Sequence, residues 1–515
     1  MKKVISIAMA LLMSLSLIAC GGGNKPGGNN QVNSNGGKEV EIKYWNAGMG
    51  SEYLEKMIDA FNKKQSDWFV RYSASASEDA IKSTYGMEDV DTVDLYIVGL
   101  EYDTTHMEPL DDLLESTADG DTKPLKDKFA EAYLATEKAA DGHYYTLTNG
   151  GGVIGIVYNQ KLFKKAGIEQ APRTTDELAV ACDKLLTAKI TPFTHFTGGG
   201  YWSYFVEAWF SQYSGHDYYM NNFYACTDQN GKSPSKDVFL EKDGRYRVLK
   251  AMEKIVTPDY VMTGANSTDH ISAQTAFLNS DIGMMVNGAW LSNEMKSTGK
   301  TDDYAVMKTP VISSIREKLT TVKNDAELRN LIDAIDAVTD GTAEESQYKS
   351  GEDYTVNGKQ VSGNDWNYVK AARNTVAVSY NGCRSFIPSY SDAKDGAKEF
   401  LKFFYSDEGY KIYTDTTHVS LPLTMSSGDI DFSQWNQLEQ GMSNLLDTAE
   451  NQASRQLMSI HPIFTNGGAS AYAGLNYIVR FCTNNAKDSL TADEAWTTLS
   501  DMVETKYDSW ISNIK

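Results

Sequence analysis

Three shortages bound what this chain does. Its seven histidines are scattered over 515 residues, so no local cluster points to a metal centre. Beyond Cys20, its cysteines stand alone at 182, 226, 383 and 482 with no C-x-x-C spacing, which argues against a zinc ribbon. Lysine and arginine number 48 against 69 acidic residues and nowhere bunch, which argues against a nucleic-acid partner. Familiar catalytic patterns are missing as well: there is no H-E-x-x-H, no G-x-S-x-G and no phosphate-binding P-loop. No cofactor is expected. No repeat of fixed period occurs, which weighs against a repeat-built adhesive or structural protein.

An apolar run opens the chain. Lys2 and Lys3 precede the mostly apolar stretch Val4–Ala19, the layout of a secretory leader. The stretch is shorter than the roughly 20 residues of a membrane span. Leu17-Ile18-Ala19-Cys20 resembles a bacterial lipobox. That resemblance implies a signal peptide of residues 1–19 and lipid attachment at Cys20, and hence a place on the extracytoplasmic face of the cell membrane. Residues 20–38 then read as a tether: Gly21–Gly37 holds seven glycines, too few apolar groups for a core. Such a coil reaches ~23 Å on average.

Formal net charge is −21, and loss of Lys2 and Lys3 with the leader would carry it to −23. An acidic surface of this size keeps the body soluble and off anionic lipid heads, and it argues against a strongly anionic ligand unless a local basic pocket overrides it. The folded part, from about residue 39 to 515, is too long for one ordinary core, so two lobes are expected.

Alternating apolar residues in Val40–Trp45 predict a strand, and Leu54, Met57, Ile58 and Phe61 predict a helix that Ser51 can cap. Strands follow at Phe69–Ser73 and Val93–Val98, a β-α-β rhythm that indicates a parallel sheet under helices. A second block repeats it, with a strand at Val153–Tyr158, a short helix to Ala166, and a helix opened by Thr174 and Glu177. That helix carries Cys182 on its apolar face, which favours a buried thiol; disulfides remain open for the four downstream cysteines. Residues 311–375 read as an insertion, with a helix around Ala326–Val338 and then a polar, Gly- and Asn-rich segment. Helices resume from Ser391 to the end.

Val157-Tyr158-Asn159-Gln160-Lys161-Leu162-Phe163-Lys164-Lys165-Ala166-Gly167-Ile168, followed by Pro172–Leu178, resembles a signature of family 1 extracellular solute-binding proteins, the carbohydrate-capturing components of ABC importers. Ala276–Leu278 through Met285, ending in Gly288-Ala289-Trp290, resembles a second signature, and Ala397–Phe403 before Ser406–Gly409 a third. Order and spacing agree. The insertion has no counterpart in smaller members, and Thr175 stands where the family usually has tryptophan.

The resemblance implies an α/β fold of the periplasmic-binding-protein type (type II), two hinged lobes with a central ligand cleft. Residues 39–147 plus 306–420 are expected to form lobe 1, carrying the 311–375 insertion, and 148–305 plus 421–515 lobe 2. A monomer that binds a neutral sugar or oligosaccharide and delivers it to ABC permease subunits is the implied activity, without catalysis. A surface glycan-active enzyme and a sugar-sensing receptor that presents ligand to a membrane signalling protein are the alternatives.

A sugar pairs an apolar ring face with a rim of hydroxyls, so its site needs aromatic platforms and polar side chains at strand ends. On that chemistry the ligand contacts expected are Trp45 and Asn46 after the first strand, Glu101 after the third, and Asn149 beside the glycines 150–152 at the first hinge crossing. In the second block they are Trp202 after the turn 198–200, Asn287 and Trp290 at a strand end, and Arg384.

Overall fold

The computed structural model describes residue 33 and residues 36–514, apart from positions 46–47, 76, 100–103, 140, 300–302, 381–382, 456, 458–460, 474–476 and 483–488. The leader, Cys20, Asn46 and Glu101 lie outside the described residues.

Two sheets organise the chain. The first has the order β2-β1-β3-β13-β4, built from β1 (Lys38–Tyr44), β2 (Trp68–Ala74), β3 (Leu95–Val98), β4 (Leu147–Thr148) and β13 (Arg384–Phe386). β1 pairs in parallel with β2 and β3, as the β-α-β rhythm predicts, and β13 runs antiparallel between β3 and β4. The helix Glu52–Lys64 makes the first crossover because Tyr53, Leu54, Met57, Ile58 and Phe61 form one buried stripe at helical spacing. Ser51 holds its N-cap position, but the hydroxyl turns to Glu55 Oε1 at 3.1 Å and caps no backbone N–H. The helices Lys394–Phe404 and Asp407–Thr417 return to this lobe from far along the chain. Phe61 meets Phe400 and Phe403 at 5.4 and 5.7 Å between ring centroids. Below them the Lys128 side chain, wholly buried, sits between the carboxylates of Asp121 and Asp407 and donates to Tyr405 O at 2.8 Å.

The second sheet has the order β14-β12-β5-β7-β6, with β8 also on β5. Its strands are β5 (Gly152–Asn159), β6 (Thr191–Thr194), β7 (Ile282–Gly288), β8 (Tyr304–Met307), β12 (Thr375–Ser379) and β14 (Asn451–Ala453). It is mixed: β7, β8 and β12 all run antiparallel to β5.

This pairing moves a boundary. β8 and β12 are both bonded to β5, so the chain between them belongs to the second lobe and not the first, where residues from 306 on were expected. The 311–375 segment packs accordingly. Its helix Asp325–Thr339 is tied to the start of the helix Thr175–Thr187 by the Arg173–Asp333 and Arg329–Glu177 ion pairs. The polar stretch beyond is no loop. It forms a small antiparallel sheet of β9 (Lys349–Ser350), β10 (Asp353–Val356) and β11 (Lys359–Val361) and then the helix Gly363–Arg373. Trp366 of that helix stacks on Tyr354, ring centroids 4.1 Å apart and planes 2° from parallel.

The helix Gln437–Asp447 buries Met442, Leu445 and Leu446 against the second sheet. The helix Ala492–Asn513 covers the helix Arg245–Ile255. Both open with complete capping boxes, Asn436 with Glu439 and Thr491 with Glu494. No disulfide joins Cys182, Cys226, Cys383 and Cys482. Cys182 is buried, and burial pushes its thiol up out of the reactive range.

Candidate functional site

The two sheets are joined through their edges. β4 ends at Thr148 and β5 begins at Gly152, while β12 ends at Ser379 and β13 begins at Arg384. A third segment, 418–424, touches both lobes: the Ser420 and Ser443 hydroxyls meet at 2.6 Å on one side, and Ala130 N donates to Pro422 O at 2.9 Å on the other. The crossings lie against each other. Asn149 N donates to Cys383 O at 2.9 Å. Gly151 has φ +91°, and a Cβ there would stand 2.3 Å from Ser379 O, so only glycine fits. β4 leaves its sheet by the carboxyl end and β5 enters by the amino end. The carboxyl ends of β1 and β3 therefore face those of β6, β7, β12 and β14 across the gap. Ligands of open α/β sheets sit at such carboxyl edges.

The second lobe's wall is a row of aromatics. β7 ends in Gly288 so that the Trp290 indole can fold back over it: a Cβ on Gly288 would lie 2.3 Å from the ring. Trp290 stands edge-on to Tyr201 at 5.2 Å. Tyr204 follows at 6.4 Å from Tyr201, one turn on. Arg455, just past the end of β14, lays its guanidinium over the Tyr204 ring at 5.3 Å and donates from Nη1 to Ser203 Oγ at 3.1 Å. Tyr201 and Tyr204 are half-buried. Burial, with the nearby Glu294 charge adding to it, pushes the Tyr201 hydroxyl well up, so it stays a neutral donor.

In the first lobe Trp45 directly follows the carboxyl end of β1. Trp45, Tyr85 and Tyr145, all half-buried, rest on a separate apolar cluster of Ile81, Tyr96, Val98, Met107 and Phe386. Tyr96 and Phe386 stack at 5.0 Å, and Tyr85 stands edge-on to both at 5.5 and 5.2 Å. Between the walls, Gly48 of the loop after β1 reaches the other lobe. A Cβ there would come within 3.1 Å of Trp290 Cβ and 3.2 Å of Glu294 Oε1. Glu294 Oε2 accepts from Gln274 Nε2 at 2.6 Å, and Asn293 Nδ2 donates to Thr417 O at 2.6 Å across the lobes. Burial holds the Glu294 carboxyl above its ordinary value, against the pull of the Gln274 amide.

Of the residues nominated from sequence, Trp45 and Trp290 border the gap, although Trp290 is only 8% exposed. Trp202 does not. It is fully buried among Phe193, Phe205 and Trp209, which surround it at 5.2–6.1 Å and leave no ring face for a ligand. Asn287 is also fully buried, its Oδ1 accepting from Gly288 N at 2.8 Å, so it closes its own strand end. Arg384 is paired at 3.1 Å with Glu137, whose side chain is buried, so it is neither a surface bridge nor a free fork. Asn149 is fully buried in the hinge, with no partner for its side-chain amide among the described residues. The sequence offers Tyr201 beside Trp202 as a ring that could stack a sugar, whereas Tyr204, Glu294 and Arg455 were not foreseen. For the tyrosines a signal existed: Trp202, Phe205 and Trp209 repeat at core spacing, which turns Tyr201 and Tyr204 to another face.

Among the described residues no group of three or more His, Cys, Asp or Glu is arranged to hold a metal ion, and no helix is long and apolar enough to cross a membrane.

Comparisons with known proteins agree with this architecture. Binding proteins of Brucella abortus and Brucella suis are 26% identical over 186 residues, 36% of this chain, and the match spans only 42% of their length. Among solved structures, a chitin oligosaccharide binding protein superposes over 92% of this chain and 99% of its own with a TM-score of 0.57 at 17% identity. RafE in complex with raffinose covers 90% and 99% with a TM-score of 0.55 at 13% identity. Maltose-bound MalE3 of T. maritima covers 91% and 99% with a TM-score of 0.55 at 14% identity. These likenesses show the two-lobed α/β fold. The family description of bacterial extracellular solute-binding proteins matches residues 47–314, more than half of the sequence, and the chain belongs to that family.

Proposed function

We propose that this protein is a receptor that captures a sugar or oligosaccharide between its lobes and passes it unchanged to the permease subunits of an ABC importer. The observation that carries the reading is the aromatic row Trp290, Tyr201 and Tyr204 beside the carboxyl end of β7, across from Trp45 at the carboxyl end of β1. Trp290 is nearly buried, but the half-buried rings of Tyr201, Tyr204 and Trp45 offer flat apolar faces for sugar C–H groups, and the tyrosine hydroxyls serve the rim. The superposable proteins named for chitin oligosaccharide, raffinose and maltose support the same ligand class. In this reading Trp45, Asn46, Glu101, Asn149 and Trp290 remain ligand contacts. Lobe 1 comprises 38–148 with about 383–424, and lobe 2 comprises 152–379 with 437–514. The receptor works as a monomer on the outer face of the cell membrane, held by lipid at Cys20.

Glycoside cleavage would need two carboxyls about 5–9.5 Å apart flanking the scissile bond, and an assay for product separates that alternative from binding without turnover. The test is a glycan panel read by thermal shift. A sugar at 100 times its Kd adds about 2.7 kcal/mol and raises the melting temperature. Stabilisation by amino acids or peptides alone, or product appearing by chromatography, would overturn the reading. Release of a Cys20→Ala form from cell membranes tests the anchor.

A further inference from the structure

The aromatic row of the second lobe ends in a cation that no ion pair neutralises among the described residues. Arg455 is half-buried, in a chain whose acidic residues outnumber basic ones 69 to 48. Yet among the described residues no carboxylate is paired with it, and its Nε has no acceptor. Its contacts are neutral: the Tyr204 ring at 5.3 Å and Ser203 Oγ at 3.1 Å. Glu207, one turn below Ser203, attracts it from beneath without forming an ion pair. The Glu207 carboxylate instead accepts the Tyr224 hydroxyl at 2.7 Å, and burial holds it above its ordinary value. The same spot receives the positive end of the helix Trp202–Ser214, whose N-cap residue Tyr201 supplies no side-chain cap. With the guanidinium over the Tyr204 ring, Nε buried and Nη1 donating to Ser203, Nη2 and the second Nη1 proton are left to meet a carboxylate with two parallel hydrogen bonds.

We propose that Arg455 is the specificity-determining residue of the cleft, and that the ligand is an oligosaccharide carrying a uronic-acid carboxylate at the end that rests beside Tyr204. The steps from Trp290 to Tyr201 to Tyr204 to Arg455 are 5.2, 6.4 and 5.3 Å, each about one sugar ring long, so a ligand of several rings lying along the row brings its end to the cation. This assignment rests on the reading of the cleft as a sugar site. It also departs from the neutral ligand that overall charge suggests: the local cation overrides the acidic surface.

The test uses the lipid-free mature protein and calorimetric titration with oligogalacturonides and glucuronic-acid-bearing xylo-oligosaccharides. Each is compared with its methyl ester, which removes the charge and keeps the shape. Neutral, sulfated and phosphorylated sugars form the other arms. The expected result is an acid bound about 10- to 100-fold more tightly than its ester. That preference falls to within about twofold in Arg455→Gln, persists in part in Arg455→Lys, and shrinks with added salt. Both variants keep the wild-type melting temperature to within a few degrees because Arg455 makes no described ion pair. Neutral sugars bound as well as acids overturn the proposal and leave the sugar receptor standing. Preference for sulfate or phosphate esters overturns the carboxylate. Binding of no sugar in any arm overturns both.

Discussion

Trp202 and Tyr201 are neighbours in sequence with opposite roles, and substituting each in turn separates core from cleft. Trp202 is fully buried, ringed by Phe193 at 5.2 Å, Phe205 at 5.8 Å and Trp209 at 6.1 Å. Truncating it to alanine loses that burial and leaves a cavity the rigid rings cannot close, a cost of about 3–5 kcal/mol. Against the 5–15 kcal/mol typical of a folded domain this is a large fraction. Trp202→Phe costs less than half as much, because it also removes an indole N–H that has no described acceptor and whose desolvation costs about 1–3 kcal/mol. Tyr201→Leu keeps most of the volume of a half-buried side chain and costs about 1 kcal/mol. It removes a ring from the wall, and affinity for the cognate sugar falls about tenfold, ~1.4 kcal/mol. Urea titration at constant m gives the stability terms, and calorimetry on the folded fraction gives affinity. A Trp202→Ala form that loses under 1 kcal/mol, or that loses affinity while Tyr201→Leu does not, would refute the assignment of the two faces.

Three further outcomes are expected. Glu294 is held above its unfolded value by burial, so the folded state keeps the extra proton; its contribution is complete below the unfolded value of about 4.3 and is lost as pH rises through the folded one. Glu294→Gln therefore raises the melting temperature at pH 7.5 and matches wild type near pH 4; equal curves at both would refute this. Lys128→Met leaves Asp121 and Asp407 facing each other without their ammonium and costs about 3–5 kcal/mol, read by urea titration; a loss below 1 kcal/mol would show that the pair relaxes to solvent. Gly151→Ala forces an L-residue to φ +91° at about 1–2 kcal/mol and adds an overlap with Ser379 O. The melting temperature falls, and the radius of gyration from X-ray scattering changes as the crossings part; an unchanged scattering curve would mean the hinge absorbs the methyl.

The local pattern of this chain was legible without coordinates. The apolar spacing of Leu54, Met57, Ile58 and Phe61 names one helix face because a helix repeats every 3.6 residues and nothing distant changes that. Thr174 caps the helix it was expected to open, since a cap depends on backbone N–H groups three residues away. The three family signatures pointed to the family that the chain belongs to. The lobe of the 311–375 segment was not legible, because β8 and β12 are assigned by partners some 150 and 220 residues earlier in β5. Its small sheet was missed because its strands are only two, four and three residues long, too short for a period of two to stand out. In the cleft, residue type pointed to tryptophan at strand ends and at a helix start. Only tertiary packing decided that Trp202 faces its own core and that Tyr201, Tyr204 and Arg455 make the wall. Arg455 follows the wall-forming tyrosines by some 250 residues and reaches Tyr204 only because β14 joins the edge of the sheet beside β12. Length, strand–helix rhythm and net charge pointed to an acidic α/β chain of two lobes. Which side chains face across the gap was set by strand pairing between distant segments, and no short-range pattern carries that information.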